Sequence, residues 1–300
     1  MFTPPGFEQR SVKTSLGEMV YYNAASAPWV SEDAAAREQE RETLVFLHGF
    51  GGGSSAYEWS KVYPAFAADY RIVAPDLIGW GRSNHPARNY RIEDYLTTIA
   101  ELIAQTCSGG VRAIASSLTA AFTIRLAIAH PDLFKCLILT TPSGLADFGD
   151  NYASTLFAQL AGVPILDRLF YTAGVANKNG IRSFLEQRQF ANPNRVYEEI
   201  VDAYLESALQ KNAEYAALSF VRGDLSFDLS LYVPQLTVPT GIIWGRKSQF
   251  TSPEVGQRLA NLNPQAIKFF ERLEDVGLTP QLELPAVTIG LIRKFLQRLG

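Results

Sequence analysis

The stretch Val111-Arg-Ala-Ile-Ala-Ser-Ser-Leu-Thr-Ala-Ala-Phe122 decides the fold. A short apolar run leads to two adjacent serines, and helix-forming residues follow directly. The pattern predicts a buried strand over Val111–Ala115, a sharp turn at Ser117 and a helix over Leu118–Ala129. A serine on such a turn stands where a hydrolase holds its nucleophile. A serine that merely caps the following helix fits the same position.

Strands and helices alternate on both sides of this stretch. A hairpin opens the chain at Phe7–Leu16 and Glu18–Ala24. The further predicted strands are Thr43–Leu47, Tyr70–Ala74, Lys135–Thr140, Thr240–Trp244 and Ala266–Leu273. The further predicted helices are Ala56–Ala68, Ile92–Thr106, Pro253–Leu262 and Leu282–Leu299. This order predicts an α/β fold, with a mostly parallel sheet and right-handed crossovers.

One long segment interrupts the alternation. Residues 145–236 show a helical pattern only, rich in aromatic residues, as in Val196–Leu209. We therefore predict a core formed by residues 1–144 and 237–300, with 145–236 inserted as a helical cap. A second segment, residues 28–42, is polar and charged and predicts an exposed excursion between strands.

Composition excludes several classes of function. The chain has 300 residues, of which 47% are apolar, and its formal net charge is -3. No basic block stands out, so nucleic acid is not an expected partner. The two cysteines, Cys107 and Cys136, have no metal-ligand spacing, and no metal or cofactor is expected. No apolar run is long enough to span a bilayer and no signal peptide is visible, which favours a cytoplasmic protein.

Three motifs occur in a family-specific order. His48-Gly-Phe-Gly-Gly-Gly-Ser54 follows the first buried strand, Asp76-Leu-Ile-Gly-Trp-Gly-Arg-Ser83 follows the next, and the opening stretch is the third. Together with the late cap they resemble the α/β-hydrolase fold superfamily, specifically its capped esterases, epoxide hydrolases and C–C bond hydrolases. The resemblance runs from about residue 17 to residue 299.

The resemblance implies roles for several residues. Ser117 takes the nucleophile position, and the backbone N–H groups of Phe50 and Leu118 would form the oxyanion hole. The elbow motif of this family is Gly-x-Ser-x-Gly, because strand and helix nearly touch there. This chain carries Ala115 and Thr119 at the two glycine positions.

The partners that a nucleophilic serine needs are missing from their expected places. The family acid follows a pattern like Trp-Gly-x-x-Asp, whereas this chain has Ser248 at that position. The family base lies in a Gly-His turn after the last strand, and here Leu278 stands in its place. No histidine follows His130 in the chain. Serine chemistry of the usual Ser-His-Asp kind is therefore disfavoured.

The remaining histidines offer two alternative bases. His48 lies at the correct end of the sheet, although its place in the family supports the oxyanion loop. His85 lies on a loop that could border the pocket. His130 closes the helix that begins at the elbow, about 20 Å from Ser117 at 1.5 Å per residue, and is excluded.

Three hypotheses follow. The first is a catalytically impaired protein that binds a small apolar molecule under its aromatic-rich cap. The second is a hydrolase with a rearranged site that uses Ser117 with His85 or His48. The third is a scaffold that binds a partner protein through the cap or through residues 28–42.

The aromatic cap residues are Phe157, Phe170, Tyr171, Phe184, Phe190, Tyr197, Tyr204, Tyr215 and Phe220.

Overall fold

One sheet of eight strands organises the protein. The computed structural model describes residues 3–30, 41–149 and 171–299. The strands are β1 (Phe7–Thr14), β2 (Gly17–Ala24), β3 (Thr43–Leu47), β4 (Arg71–Pro75), β5 (Val111–Ser116), β6 (Phe134–Thr140), β7 (Thr240–Gly245) and β8 (Ile267–Leu273). Their order across the sheet is β1-β2-β4-β3-β5-β6-β7-β8. β2 runs antiparallel to both of its neighbours, β1 and β4, and the strands from β3 to β8 pair in parallel. The predicted α/β fold is confirmed.

Helices cover the sheet on both faces. The α-helices of the described residues are α1 (Ile92–Thr106), α2 (Ser117–Ala129), α3 (Lys178–Phe184), α4 (Glu198–Ala208), α5 (Ala213–Val221), α6 (Pro253–Asn261), α7 (Pro280–Glu283) and α8 (Pro285–Leu299). The central strands β3 and β5 are buried along their whole length, as parallel strands covered on both faces must be. The functional loops lie at the carboxyl ends of these strands.

The structure corrects two predicted helices. The helix predicted over Ala56–Ala68 is wrong, because the chain forms two short 3₁₀ turns, Ala56–Trp59 and Tyr63–Phe66. Pro64 explains the break, since it cannot donate the backbone hydrogen bond that a continuous helix requires. The predicted closing helix is divided in two where Pro285 begins α8. The other predicted elements described by the structure agree within two residues.

The regular elements described in the insertion, residues 145–236, are helical, apart from a single β-bridge between Leu145 and Phe227. α3, α4 and α5 lie in it, together with π-helical turns at Tyr171–Val175 and Leu185–Gln189. The Phe227 N–H donates to the Gly144 carbonyl over 2.8 Å, which ties the end of the insertion to its beginning. Phe157 and Phe170 lie outside the described residues, as do residues 31–40 of the charged excursion.

The described residues contain neither a membrane-spanning helix nor a cluster of metal-ligating side chains. None of their helices combines the length and hydropathy needed to cross a bilayer. In the same ranges, no three histidine, cysteine or acidic side chains are grouped as metal ligands would be.

Candidate functional site

Ser117 lies on a strained turn between β5 and α2. β5 ends at Ser116 and α2 begins at Ser117. The φ angle of Ser117 is 56°, in the left-handed region that residues other than glycine rarely occupy. This is the backbone of a nucleophile elbow, which explains why the sequence passes from strand to helix without a loop. Thr119 fits into the buried start of α2, where its hydroxyl has no hydrogen-bond partner among the described residues.

The glycine-rich loop after β3 packs directly against the elbow. A Cβ atom added to Gly49 would lie 3.3 Å from the Ser117 Cβ, so only glycine allows this approach without displacement. The Phe50 ring is buried and packs edge-on against Tyr95 at 4.8 Å and against Trp80 at 5.1 Å. This packing holds the Phe50 backbone beside Ser117.

The two predicted oxyanion donors are available. Within the described ranges, neither the Phe50 N–H nor the Leu118 N–H donates a hydrogen bond to the protein. The Leu118 N–H belongs to the first turn of α2, where helix geometry leaves N–H groups without an intrahelical acceptor. The Leu118 N–H follows Ser117 directly in the chain, and unused N–H groups of this kind can bind a carbonyl oxygen or an oxyanion.

The positions at which the resemblance expects the catalytic acid and base hold Ser248 and Leu278. Ser248 follows β7, and its hydroxyl is buried with no hydrogen-bond partner among the described residues. Leu278 is buried, and its N–H donates to the Gln189 carbonyl of the insertion over 2.8 Å. An aliphatic side chain therefore occupies the turn where a histidine would act as base.

The acidic residues beside that turn face solvent. Glu274 forms an ion pair with Arg246 at 2.8 Å, and Asp275 forms one with Lys247 at 2.5 Å. All four side chains are about half exposed or more. These carboxylates hold the loops after β7 and β8 together at the surface, and neither is directed into the buried turn.

His48 is fixed by hydrogen bonds on both ring nitrogens. The Leu77 N–H donates to Nε2 over 3.0 Å, so Nδ1 carries the hydrogen that it donates to the Gly49 carbonyl at 2.7 Å. Burial lowers the pKa of His48 to about 4. The imidazole ties the loop after β3 to the loop after β4, and no nitrogen remains to accept a proton from Ser117.

His85 follows a residue that is bonded to β2, which is three strands away from β5 in the sheet. Asn84 is held against β2, since its N–H donates to the Glu18 carbonyl over 2.8 Å. β2 and β5 are separated by β4 and β3, which at about 4.8 Å per strand places β2 roughly 14 Å from the strand that ends at the elbow. Burial lowers the pKa of His85 to about 4, and its Nε2 has no partner among the described residues.

Asp76 holds its own loop through its carboxylate. Its carboxylate accepts hydrogen bonds from the Ala56 N–H at 2.7 Å and from the Arg82 N–H at 2.8 Å. The Tyr22 hydroxyl donates a third, at 3.4 Å. Burial raises the pKa of Asp76 to about 6. The residue is structural and joins the loops after β3 and β4.

A buried carboxylate that the sequence did not reveal lies next to the elbow. Glu58 accepts hydrogen bonds from the Gly49 N–H at 2.9 Å and from the Tyr204 hydroxyl at 3.1 Å. Tyr204 in turn accepts one from the Gln189 amide at 2.8 Å. The network therefore links the insertion to the oxyanion loop. An acidic residue between two aromatic ones, in Tyr57-Glu58-Trp59, was the only signal in the sequence.

Gln281 extends this network beneath the elbow. Its amide nitrogen donates to the Ser116 hydroxyl over 3.1 Å, and its oxygen accepts from Thr140 over 3.5 Å. Burial raises the pKa of the Glu58 carboxyl, and a hydrogen bond with the Gln281 side chain opposes part of this rise. Gln281 lies in α7, three residues after Leu278. The Gln281 amide thus links the segment after Leu278 to β5, the strand that ends beside Ser117.

A cleft of about 330 Å³ opens between the loops after β6 and β7. The Asp147 carboxylate lies at its edge and is held by the Ser143 hydroxyl at 2.7 Å, the Leu229 N–H at 3.0 Å and the Gly144 N–H at 3.1 Å. These bonds fix the start of the insertion. Asp150 lies outside the described residues. The cleft is lined by Ser143, Leu145, Asp147, Ser248, Gln249, Phe250, Thr251, Ser252 and Val255.

The insertion packs on the glycine-rich loop. A side chain at Gly52 would overlap Val175, and one at Gly53 would overlap the Tyr204 carbonyl. Gly51 lies against the Phe184 ring, where an added Cβ would be 3.5 Å from the ring. The glycines therefore admit the insertion as well as the elbow.

Known proteins that are similar to this chain in sequence or fold include a lipase, a receptor and an epoxide hydrolase. A family model described as "alpha/beta hydrolase fold" matches residues 42–284. The chain is 26% identical over 255 residues to Lipase 1 of Psychrobacter immobilis, covering 81% of this chain and 73% of the lipase. It is 25% identical over 256 residues to Karrikin insensitive 2 receptor IA of Petunia hybrida, covering 84% of this chain and 89% of the receptor. The solved epoxide hydrolase CorEH is similar in fold, with a TM-score of 0.76 at 20% identity over 98% of this chain and 100% of that one.

Proposed function

The chain belongs to the alpha/beta hydrolase fold family, and we propose that it is a catalytically impaired member that binds a small apolar molecule. The binding site lies between the sheet core and the insertion, which acts as a helical cap over the elbow. One observation carries the proposal: Leu278 occupies the base turn and is bonded to the insertion through its backbone. Neither His48 nor the acids of that turn can replace the missing imidazole.

The size of the expected loss supports impairment. Removing the base of a serine triad costs about 10⁴- to 10⁶-fold in turnover, and the oxyanion hole with binding leaves roughly 10³- to 10⁴-fold over water. Ser117 lacks both the base and the acid, whereas the Phe50 and Leu118 donors are retained. These donors suit a ligand that carries a carbonyl oxygen.

Three further observations fit a binding role in the cytoplasm. The insertion offers aromatic side chains near the glycine-rich loop, among them Phe184, which lies 6.1 Å from the Phe250 ring. Cys107 and Cys136 are both free thiols, in keeping with a reducing compartment. A relative of similar length carries the name of a receptor, which agrees with a binding function for this fold.

The direct test is covalent labelling. We expect a fluorophosphonate probe to leave Ser117 unmodified in the wild type, because no base activates its hydroxyl. We also expect 2-heptanone, an apolar ketone, to raise the melting temperature; a ligand at 100 times its Kd adds about 2.7 kcal/mol to the free energy of unfolding. Rapid labelling that disappears in Ser117→Ala would overturn the proposal.

A hydrolase with a rearranged site is the second candidate. The strained elbow and the two unused N–H donors favour it, because both are needed for attack on a carbonyl. His85 would then have to act as the base from its loop after β4, or His48 after losing its present bonds. Hydrolysis of short acyl esters that falls in Ser117→Ala and in either His85→Gln or His48→Gln would support this candidate.

A further inference from the structure

Glu58 is a fully buried carboxyl group at the boundary between the core and the insertion. It lies in the first 3₁₀ turn after β3. The Tyr204 hydroxyl of α4 lies 3.1 Å from one of its oxygens, and the Gly49 N–H donates to the other over 2.9 Å. The side chains of Ser54 and Gln281 also form hydrogen bonds with it. The glycine-rich loop, α7 and one helix of the insertion therefore meet at this carboxyl.

The hydrogen-bond partners of Glu58 are all uncharged. In the part of the chain that the structure describes, they are a backbone N–H, two hydroxyls and an amide. Burial raises the pKa of Glu58, because a buried negative charge without a cation loses more hydration than these bonds replace. The hydroxyls of Ser54 and Tyr204 can each donate or accept, so the network can hold the protonated acid as well as the carboxylate.

Four other titratable groups belong to the segments around this network. Burial raises the pKa of the Tyr204 and Tyr57 phenols, so both are neutral at pH 7. Burial lowers the pKa of His48, on the glycine-rich loop, to about 4, and this group is neutral as well. Burial raises the pKa of Asp76 to about 6, and its carboxylate accepts a backbone hydrogen bond at the start of the turn that carries Glu58.

The charged groups of the two neighbouring helices have partners of their own. In α4, Glu199 pairs with Lys61 at 3.3 Å. In α7, burial raises the pKa of Glu283, which pairs with Arg195 at 3.5 Å. Glu58 is therefore the acid of this boundary that has neither a cation nor contact with solvent to stabilise its charge.

We propose that Glu58 is a proton-linked latch between the core and the insertion. While the carboxyl is protonated, α4 stays packed on the core, and ionisation favours an open state in which α4 moves away and water reaches Glu58. The closed state binds the proton more tightly than the open state, so opening releases a proton. The opening equilibrium should therefore rise with pH, by up to about tenfold per pH unit, from the ordinary pKa of a glutamate to the raised pKa of the closed state.

Ala203 offers a position at which this opening can be measured. It lies in α4, about one helical turn from both Glu199 and Ser207. The Glu199 carboxylate accepts a hydrogen bond from Tyr57 at 2.6 Å, and the Ser207 hydroxyl donates to the Ser54 carbonyl over 3.1 Å. Ala203 is buried too, so it lies on the face of α4 that packs on the core. A thiol introduced by Ala203→Cys would become accessible when α4 moves away.

The experiment measures the reaction of this thiol with dithiodipyridine at pH 5 and at pH 8. The rate in the folded protein is divided by the rate in the urea-unfolded protein, which corrects for the thiolate fraction. Mass spectrometry of the peptides separates the product from those of Cys107 and Cys136. We expect this ratio to rise at least about tenfold between the two pH values, and less than about threefold when Glu58→Gln is added, because the amide has a similar shape and cannot ionise.

Tyr204→Phe is the matched control, since it removes a bond of the same network and keeps the acid. We expect a higher ratio at both pH values, with the rise retained. An equal rise with and without Glu58→Gln overturns the inference, because another acid such as Asp76 would then be the source. If Glu58→Gln does not fold, a ratio in Ala203→Cys that stays constant or falls as the pH is raised still contradicts the inference.

The inference concerns the insertion and requires no ligand, so it fails independently of the proposed function. Fluorophosphonate labelling of Ser117 would overturn the proposed function and leave the latch in place. A ratio without the expected rise would overturn the latch and leave the proposed function in place.

Discussion

Two pairs of loops differ in how closely they keep the pattern of the family. The first pair follows β3 and β5, and the second pair follows β7 and β8. The first pair keeps the elbow at Ser117 and the unused donors of Phe50 and Leu118. The second pair has Ser248 and Leu278 where the acid and the base are expected. By the resemblance, the retained groups would bind and position a carbonyl group, and the replaced ones would transfer protons. We therefore propose that binding and proton transfer are separable in this chain.

Restoring the second pair of loops should produce the largest effect. We expect Ser248→Asp combined with Leu278→His to raise the hydrolysis of p-nitrophenyl butyrate at least about 100-fold over the wild type, because a triad would then act together with the proposed oxyanion donors, the Phe50 and Leu118 N–H groups. Steady-state kinetics measures the gain. Ser248→Asn with Leu278→Gln is the control of similar shape without a base, and adding Ser117→Ala should abolish the gain. A folded double variant with wild-type rates would show that the retained loops are no longer fit for catalysis.

Substitution in the glycine-rich loop tests how far the retained region depends on the insertion. Gly53→Ala places a methyl group against the Tyr204 carbonyl at a φ of 92°. We expect a loss of about 2–4 kcal/mol in the free energy of unfolding, measured by urea denaturation. Gly109→Ala is the matched control, because its φ of 79° carries the same backbone strain and no atom lies within 4 Å. Equal losses in the two variants would mean that the insertion does not press on the loop.

The pH dependence of stability tests the structural role of His48. Unfolded His48 binds a proton near pH 6.5, and buried His48 does so only near pH 4. The folded state therefore binds fewer protons in this window, and its stability falls as the pH is lowered from 6.5 to 4, by about 3 kcal/mol from this residue. His48→Gln should show a shallower decline in urea denaturation. A wild-type slope in His48→Gln would argue against this assignment.

The smallest expected effect concerns strain at the elbow. Ser117 occupies a left-handed backbone conformation, which costs about 1 kcal/mol for a residue other than glycine. Ser117→Gly should therefore stabilise the protein by up to about 1 kcal/mol relative to Ser117→Ala, which keeps the strain. Thermal denaturation of the two variants measures the difference. Equal melting temperatures would indicate that the surrounding packing removes the strain.

The sequence predicted the local features of the site and missed those built from distant segments. The elbow and the order of the strands followed from short patterns such as Val111–Ala115, because neighbouring residues determine them. The Ala56–Ala68 helix failed because Pro64 outweighed its apolar spacing. Glu58 was not foreseen, since its partners Gly49, Tyr204 and Gln281 come from three separate parts of the chain.

The bond between Tyr204 and Glu58 has a consequence for the rate at which a ligand enters. Moving α4 away from the core would remove a donor from a buried carboxylate that also holds the Gly49 N–H. Displacement of the insertion and exchange of the Gly49 amide hydrogen with solvent should therefore occur in the same opening event. A slow-binding ligand would then be limited by this opening, and its association rate should follow the exchange rate of that amide.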